Sequence, residues 1–149
     1  MNQFNIFLAA PISGCASESE YHTVQTSVMN LIRALRSSGH RVLSELEDIS
    51  GTDSYDTPGA SVLLDFGQIL ASDVFIMFHP RRMQTSALIE LGFAYAHNKT
   101  IIMVSPEGAL PYMAMGFPEV NPQVHIIASN SLDEDTISQI NGVLQGMQE

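Results

Sequence analysis

Only six side chains of this 149-residue chain are lysine or arginine, against sixteen aspartates and glutamates, and two of the six stand together as Arg81-Arg82. A guanidinium pair can grip a phosphate through bidentate hydrogen bonds, which makes the dipeptide a candidate anion clamp. Its plain alternative is a solvated loop that offsets an acidic surface. The run Ser13-Gly14-Cys15-Ala16-Ser17 has the composition of a phosphate-binding turn, though serine-rich turns are common. Cys15, the single thiol, cannot close an internal disulfide, and the five histidines show no pair at metal-ligand spacing, so neither a metal nor another cofactor is expected. Taken singly, Asp65 reads as a solvated helix face, Glu90 as a first-turn partner of a helix dipole, and Asp73 as a structural turn acid.

The formal net charge of -10 repels a phosphodiester backbone, which argues against long nucleic acid as a partner. A local pocket for a small anion is unaffected by that repulsion. Phe4–Ile12 is apolar but lacks a preceding basic segment and is interrupted by Pro11, so it does not read as an export signal. No apolar run approaches the ~20 residues of a membrane span. A cytoplasmic protein of one domain, residues 1–149, is the expectation.

The elements that must position any site alternate along the chain. Residues 5–9 form a short run apolar on both faces. Val24, Val28, Leu31, Ile32 and Leu35 repeat at helical spacing, and Gly39 closes that helix. His40–Leu46 reads as a second strand and residues 48–60 as a polar loop. A second helix carries Val62, Phe66, Ile69 and Leu70 on one stripe, and residues 73–78 are the clearest buried strand. Thr85 or Ser86 caps a third helix with an inner stripe of Leu88, Leu91, Gly92 and Tyr95, which leaves Glu90 off the stripe. Residues 99–104 and 124–128 are further strands, 108–122 is irregular or a short helix, and 133–147 a closing helix. Strands apolar on both faces imply a parallel sheet covered on each side. The expected fold class is therefore α/β: a flavodoxin-like, doubly wound, five-stranded parallel sheet of order 2-1-3-4-5 in a three-layer α/β/α arrangement.

Ligands in such sheets bind beyond the carboxyl ends of the strands, at the switch point between strands one and three. The loops concerned are Ala9–Gly14, His79–Ser86 and Ser105–Gly108. Several chemistries are excluded by what is missing: no G-x-x-x-x-G-K-[ST] phosphate loop, no G-x-G-x-x-G after strand one, no acidic residues at the end of strand one for a receiver domain, and no G-x-S-x-G nucleophile elbow.

Three blocks remain: Phe7-Leu8-Ala9-Ala10-Pro11-Ile12-Ser13; Leu64-Asp65-Phe66-Gly67-Gln68-Ile69-Leu70-Ala71-Ser72-Asp73 leading into a strand; and Thr85-Ser86-Ala87-Leu88-Ile89-Glu90-Leu91-Gly92-Phe93-Ala94. In this order they resemble the nucleoside 2-deoxyribosyltransferase superfamily, which includes nucleoside-monophosphate N-glycosidases. The resemblance spans roughly residues 4–105. It implies that Glu90 is the catalytic glutamate and that Asp65 works beside the base or sugar. Ala9, Pro11, Ser13 and Gly14 then belong to the loop that closes on the ligand; Ser86, and Arg81 and Arg82 as the guanidinium pair read above, are the further candidate substrate contacts. Phe7 stands where many members have tyrosine, and Ser86 where they have glycine. The resemblance also implies a homodimer or higher homo-oligomer.

The implied chemistry is cleavage or transfer at the N-glycosidic bond of a nucleoside or nucleoside 5′-monophosphate. A carboxylate beneath C1′ meets an oxocarbenium-like sugar, and a second carboxyl protonates or orients the departing base. Two alternatives stand beside it. One is a TIR-like NAD glycohydrolase, which uses a sheet and glutamate of the same kind. The other is a non-catalytic nucleotide-binding sensor or scaffold, which Phe7 and Ser86 favour.

Overall fold

The computed structural model describes residues 2–49 and 57–148. Five parallel strands, β1 (Asn5–Ala9), β2 (Arg41–Leu43), β3 (Val74–Phe78), β4 (Thr100–Ser105) and β5 (Val124–Ala128), lie in the order β2-β1-β3-β4-β5. They alternate with α1 (Glu18–Ser37), α2 (Pro58–Leu70), α3 (Ala87–Ala96), α4 (Tyr112–Val120) and α5 (Glu134–Gly146), giving the expected three-layer doubly wound fold. Every residue of β3 is buried, as a central parallel strand requires. One face of the sheet packs on Val24, Val28, Leu31, Ile32 and Leu35 of α1 together with Ile140 and Leu144 of α5. The other packs on Ile69, Ala87, Leu91, Ala94 and Ala114 from α2, α3 and α4.

Short polar contacts fix the strand ends. The Asn5 N–H donates to Asp73 Oδ2 at 2.8 Å while the Asp73 N–H donates to the Asn5 carbonyl at 2.7 Å, so Asp73 is a structural acid joining the starts of β1 and β3. Lys99 Nζ donates to the carbonyls of Leu70 and Ser72 at 2.9 and 2.8 Å, satisfying the C-terminal end of α2. His79, at the end of β3, is buried, and burial depresses its pKa, so it packs as a neutral ring.

Four sequence expectations shift in the structure. The second strand is shorter than His40–Leu46: it ends at Leu43, and Glu45–Glu47 form a 3₁₀ turn. Of the expected loop 48–60, residues 50–56 lie outside the described residues, while Pro58 and Gly59 already belong to α2. The inner face of α2 is Asp65 and Ile69; Val62 and Leu70 are each half exposed, because apolar side chains surround this helix and leave its phase undetermined by pattern alone. On α3 the buried positions are Ala87, Glu90, Leu91 and Ala94, so Glu90 lies on the inner stripe and Gly92 is outside.

Candidate active site

Two loops at the carboxyl ends of β1 and β3 are locked together before any pocket forms. Ser17 Oγ accepts from the Glu20 N–H at 3.1 Å and starts α1, and Glu20 Oε1 accepts from the Ala16 N–H at 2.7 Å. Arg81 then donates to both Glu20 oxygens, from Nε and Nη2, at 2.7 Å each. That fork, with the Ala16 N–H, holds the Glu20 carboxyl far below its usual range, at about 2. Gly14 sits against the Gln84 backbone so closely that a Cβ there would collide with the Gln84 carbonyl oxygen. Gly14→Ala therefore forces the two loops apart, with an expected loss of ~1–3 kcal/mol as seen for overpacked sites. Urea unfolding of the variant measures it, and an unchanged midpoint would contradict the close approach.

Beside this clasp opens a cavity of about 390 Å³. Its walls are Ala10, Ile12 and Ser13 after β1; Glu45 after β2; Pro58, Ser61, Val62, Asp65 and Phe66 of α2; and Thr85, Ser86, Ala87, Ile89 and Glu90 at the start of α3. It lies where the switch-point rule for doubly wound sheets places a ligand, and its volume falls within the usual ~300–1,000 Å³ of small-molecule pockets.

Four of the nine residues singled out from the sequence line this cavity: Ser13, Asp65, Ser86 and Glu90. The other five do not. Ala9 is buried in the core under the sheet, Pro11 is buried, and Gly14 is spent on the contact with Gln84. Arg81 is engaged with Glu20, and Arg82 Nη2 donates to the Gly108 carbonyl at 3.3 Å. Phe7 is likewise in the core, stacked on Phe75 with ring centroids 5.9 Å apart. Glu45 was not singled out. The pointer to it was its place just past the end of β2, at the same sheet edge as the other loops.

Asp65 and Glu90, from different helices, are 6% and 9% exposed and hydrogen-bond to each other. Asp65 Oδ1 and Glu90 Oε2 find no hydrogen-bond partner among N–H and O–H donors of the described residues. A bond between two carboxyl groups therefore needs one of them to keep its proton. The electrostatics agree: burial, followed by the adjacent Asp65 charge, pushes Glu90 up to about 9, and burial also raises Asp65. Glu90 therefore keeps its proton at neutral pH, so the cavity holds a neutral carboxyl beside a second carboxyl group. Among the described residues no cluster is arranged to hold a metal ion, these acids included.

A doubly wound α/β sheet with a carboxyl pair at its switch point is the class these features define. Solved structures share the fold. The CMP N-glycosidase BcmB of Clostridium botulinum is 24% identical over 91% of this chain and 97% of its own, with a TM-score of 0.68. BlsM is 22% identical over 95% of this chain and 90% of its own, with a TM-score of 0.75. A conserved protein from Enterococcus faecalis V583 is 16% identical, covers 95% of this chain and 99% of its own, and has a TM-score of 0.61. No family model and no curated protein matches the chain. Among the described residues no helix is long and apolar enough to cross a membrane.

Proposed function

We propose that the chain is an enzyme cleaving the N-glycosidic bond of a nucleoside or nucleoside 5′-monophosphate, to water or to a second base. The observation that carries this reading is the Asp65–Glu90 pair: two buried carboxyls from separate helices that line one ligand-sized cavity. The shared fold with a CMP N-glycosidase and the ordered motif resemblance over residues 4–105 support it.

In the proposed reaction the proton lies on Asp65 and Glu90 is ionised, a distribution favoured as positive charge develops on the sugar. A Glu90 oxygen bonds to C1′ as the bond from C1′ to the base nitrogen breaks. The electron pair of that bond leaves with the base, and Asp65 supplies its proton. Water then adds at C1′, returning its proton to Asp65 and releasing the Glu90 carboxylate. A second base in place of water gives exchange. Ser13, Thr85 and Ser86 supply hydroxyls around the cavity, and the apolar walls Ile12, Val62, Phe66 and Ile89 suit a planar base. Incubation with a panel of nucleosides and their 5′-monophosphates, followed by chromatography for free base, tests the reading. Absence of base release across the panel would overturn it.

The engagement of both arginines outside the cavity makes a second prediction. An arginine holding a substrate phosphate costs tenfold or more in KM when removed, on the order of a charged hydrogen bond. Arg82→Ala is expected to change KM for a monophosphate by less than about threefold. A larger effect, confined to phosphorylated substrates, would show that Arg82 turns into the site.

A further inference from the structure

All six lysine and arginine residues of the chain lie among the described residues, so every basic side chain that could meet a substrate phosphate can be placed. None lines the cavity. Arg81 is spent on Glu20, Arg82 on the Gly108 carbonyl, and Arg36 on Glu47. Arg33 donates to Asn30 Oδ1 along α1, and Lys99 closes the C-terminal end of α2. Arg41 opens β2, at the amino edge of a parallel sheet whose carboxyl edge carries the cavity. None of the five histidines is among the walls either. Backbone donors are committed too. At the start of α3 the Leu88, Ile89 and Glu90 N–H groups donate to the Thr85 and Ser86 carbonyls, and that of Ala87 to Thr85 Oγ1. α2 begins with Pro58, which has no N–H, and its Ala60 and Ser61 N–H groups donate to Thr57. The two helix ends bordering the cavity therefore have most of their first-turn donors in use, and little remains of the anion site such ends can form.

What the cavity does offer is acceptors. Glu45, at the start of the 3₁₀ turn, joins Asp65 and Glu90 as a third carboxyl-bearing wall residue. Asp65 Oδ1 and Glu90 Oε2, on residues more than nine-tenths buried, find no N–H or O–H donor among the described residues. A buried acceptor left without a donor is costly, and a ligand that brings one relieves the cost. The sugar of a nucleoside brings hydroxyl donors. A 5′-phosphate replaces one of them with acceptor oxygens carrying about 1.5–2 negative charges near neutral pH. We propose that the site takes an uncharged nucleoside and rejects its 5′-monophosphate: the carboxyl groups accept from the sugar hydroxyls, and no basic side chain lines the cavity to neutralise a phosphate. The proposal rests on the cleavage reading and narrows its substrate class. The formal net charge of -10 adds a long-range field that repels the same phosphate.

Nucleosides paired with their own 5′-monophosphates test it, at neutral pH and fixed ionic strength. The kcat/KM for base release is expected to be at least about tenfold higher for the nucleoside of a cleaved pair, because a site built for hydroxyl donors rejects a ligand that lacks one and adds a like charge. A smaller or reversed preference overturns the proposal and leaves the cleavage reading standing. Release from no member of any pair removes the cleavage reading, and binding then decides the proposal. Calorimetric titration of the same pairs into the unmodified chain should in that case show the nucleoside bound at least about tenfold more tightly. That result keeps the selection as a property of the cavity. A monophosphate bound as tightly as its nucleoside, or binding of neither, overturns it.

Discussion

Glu90→Gln is expected to lower kcat/KM for base release by at least about a thousandfold while leaving the fold intact. Glutamine has the same length and nearly the same shape, so the inner stripe of Ala87, Leu91 and Ala94 packs as before. What it lacks is the negative oxygen that attacks C1′. The resting side chain is already held neutral by burial, so the amide resembles the protonated state that the folded protein prefers, and thermal stability should not fall. Loss of activity with an unchanged unfolding midpoint is thus the signature of a functional carboxyl, as opposed to a structural one. Substrate binding should survive, because the walls at Ile12, Val62, Phe66 and Ile89 are untouched. Chromatographic assay of free base with calorimetric titration of the same nucleosides checks both halves. Turnover equal to that of the parent chain would remove the proposed mechanism.

The frame that carries this pair was legible because its signals are local. Residues 74–78 are apolar without alternation, which only a strand covered on both faces tolerates, and the α1 stripe from Val24 to Leu35 repeats at one helical period. The strand order followed from chain alternation and handedness. Within the site, Asp65 and Glu90 stand out through the ordered blocks around them, and their place off the apolar stripes leaves them free to face a cleft, but the depth of their burial is not legible in the sequence. α2 is apolar on nearly every side, with Leu63 80% exposed, so its pattern could not reveal that Asp65 faces inward. Glu90 sits inside because its partner across the helix pair is another acid, a compensation that no single-helix pattern displays. Contacts between distant segments were the least legible. Arg81 meets Glu20 across 61 positions, and that pairing turns a candidate phosphate clamp into a loop clasp. Glu45 was hidden because His40–Leu46 has the apolar content of one longer strand, whereas anchors on α1 bend it into a turn after Leu43.

Folding stability should decline as pH rises from the ordinary carboxylate range toward about 9, and Glu90→Gln should flatten that decline. The sign follows from proton counting. Folded Glu90 retains a proton that the unfolded chain releases near its usual 4.5, so between these limits the folded state binds more protons and rising pH favours unfolding. The slope attributable to one such group is at most ~1.4 kcal/mol per pH unit, and it vanishes below the unfolded value and above the folded one. Carboxyls with depressed values act oppositely: Glu20, held by Arg81 and the Ala16 N–H, and Glu47, held by Arg36, contribute above their unfolded range and lose that contribution as pH falls toward their folded values. The two trends place the stability maximum close to the ordinary carboxylate range, more acidic than is usual for a domain whose carboxyls are all exposed. Urea midpoints at intervals from pH 5 to pH 9, at fixed ionic strength, are the measurement. The parent chain should lose stability steadily across the series and the glutamine variant much less. Parallel curves for the two proteins would mean that Glu90 ionises normally in the folded state, and the retained proton on which the proposed chemistry depends would not exist.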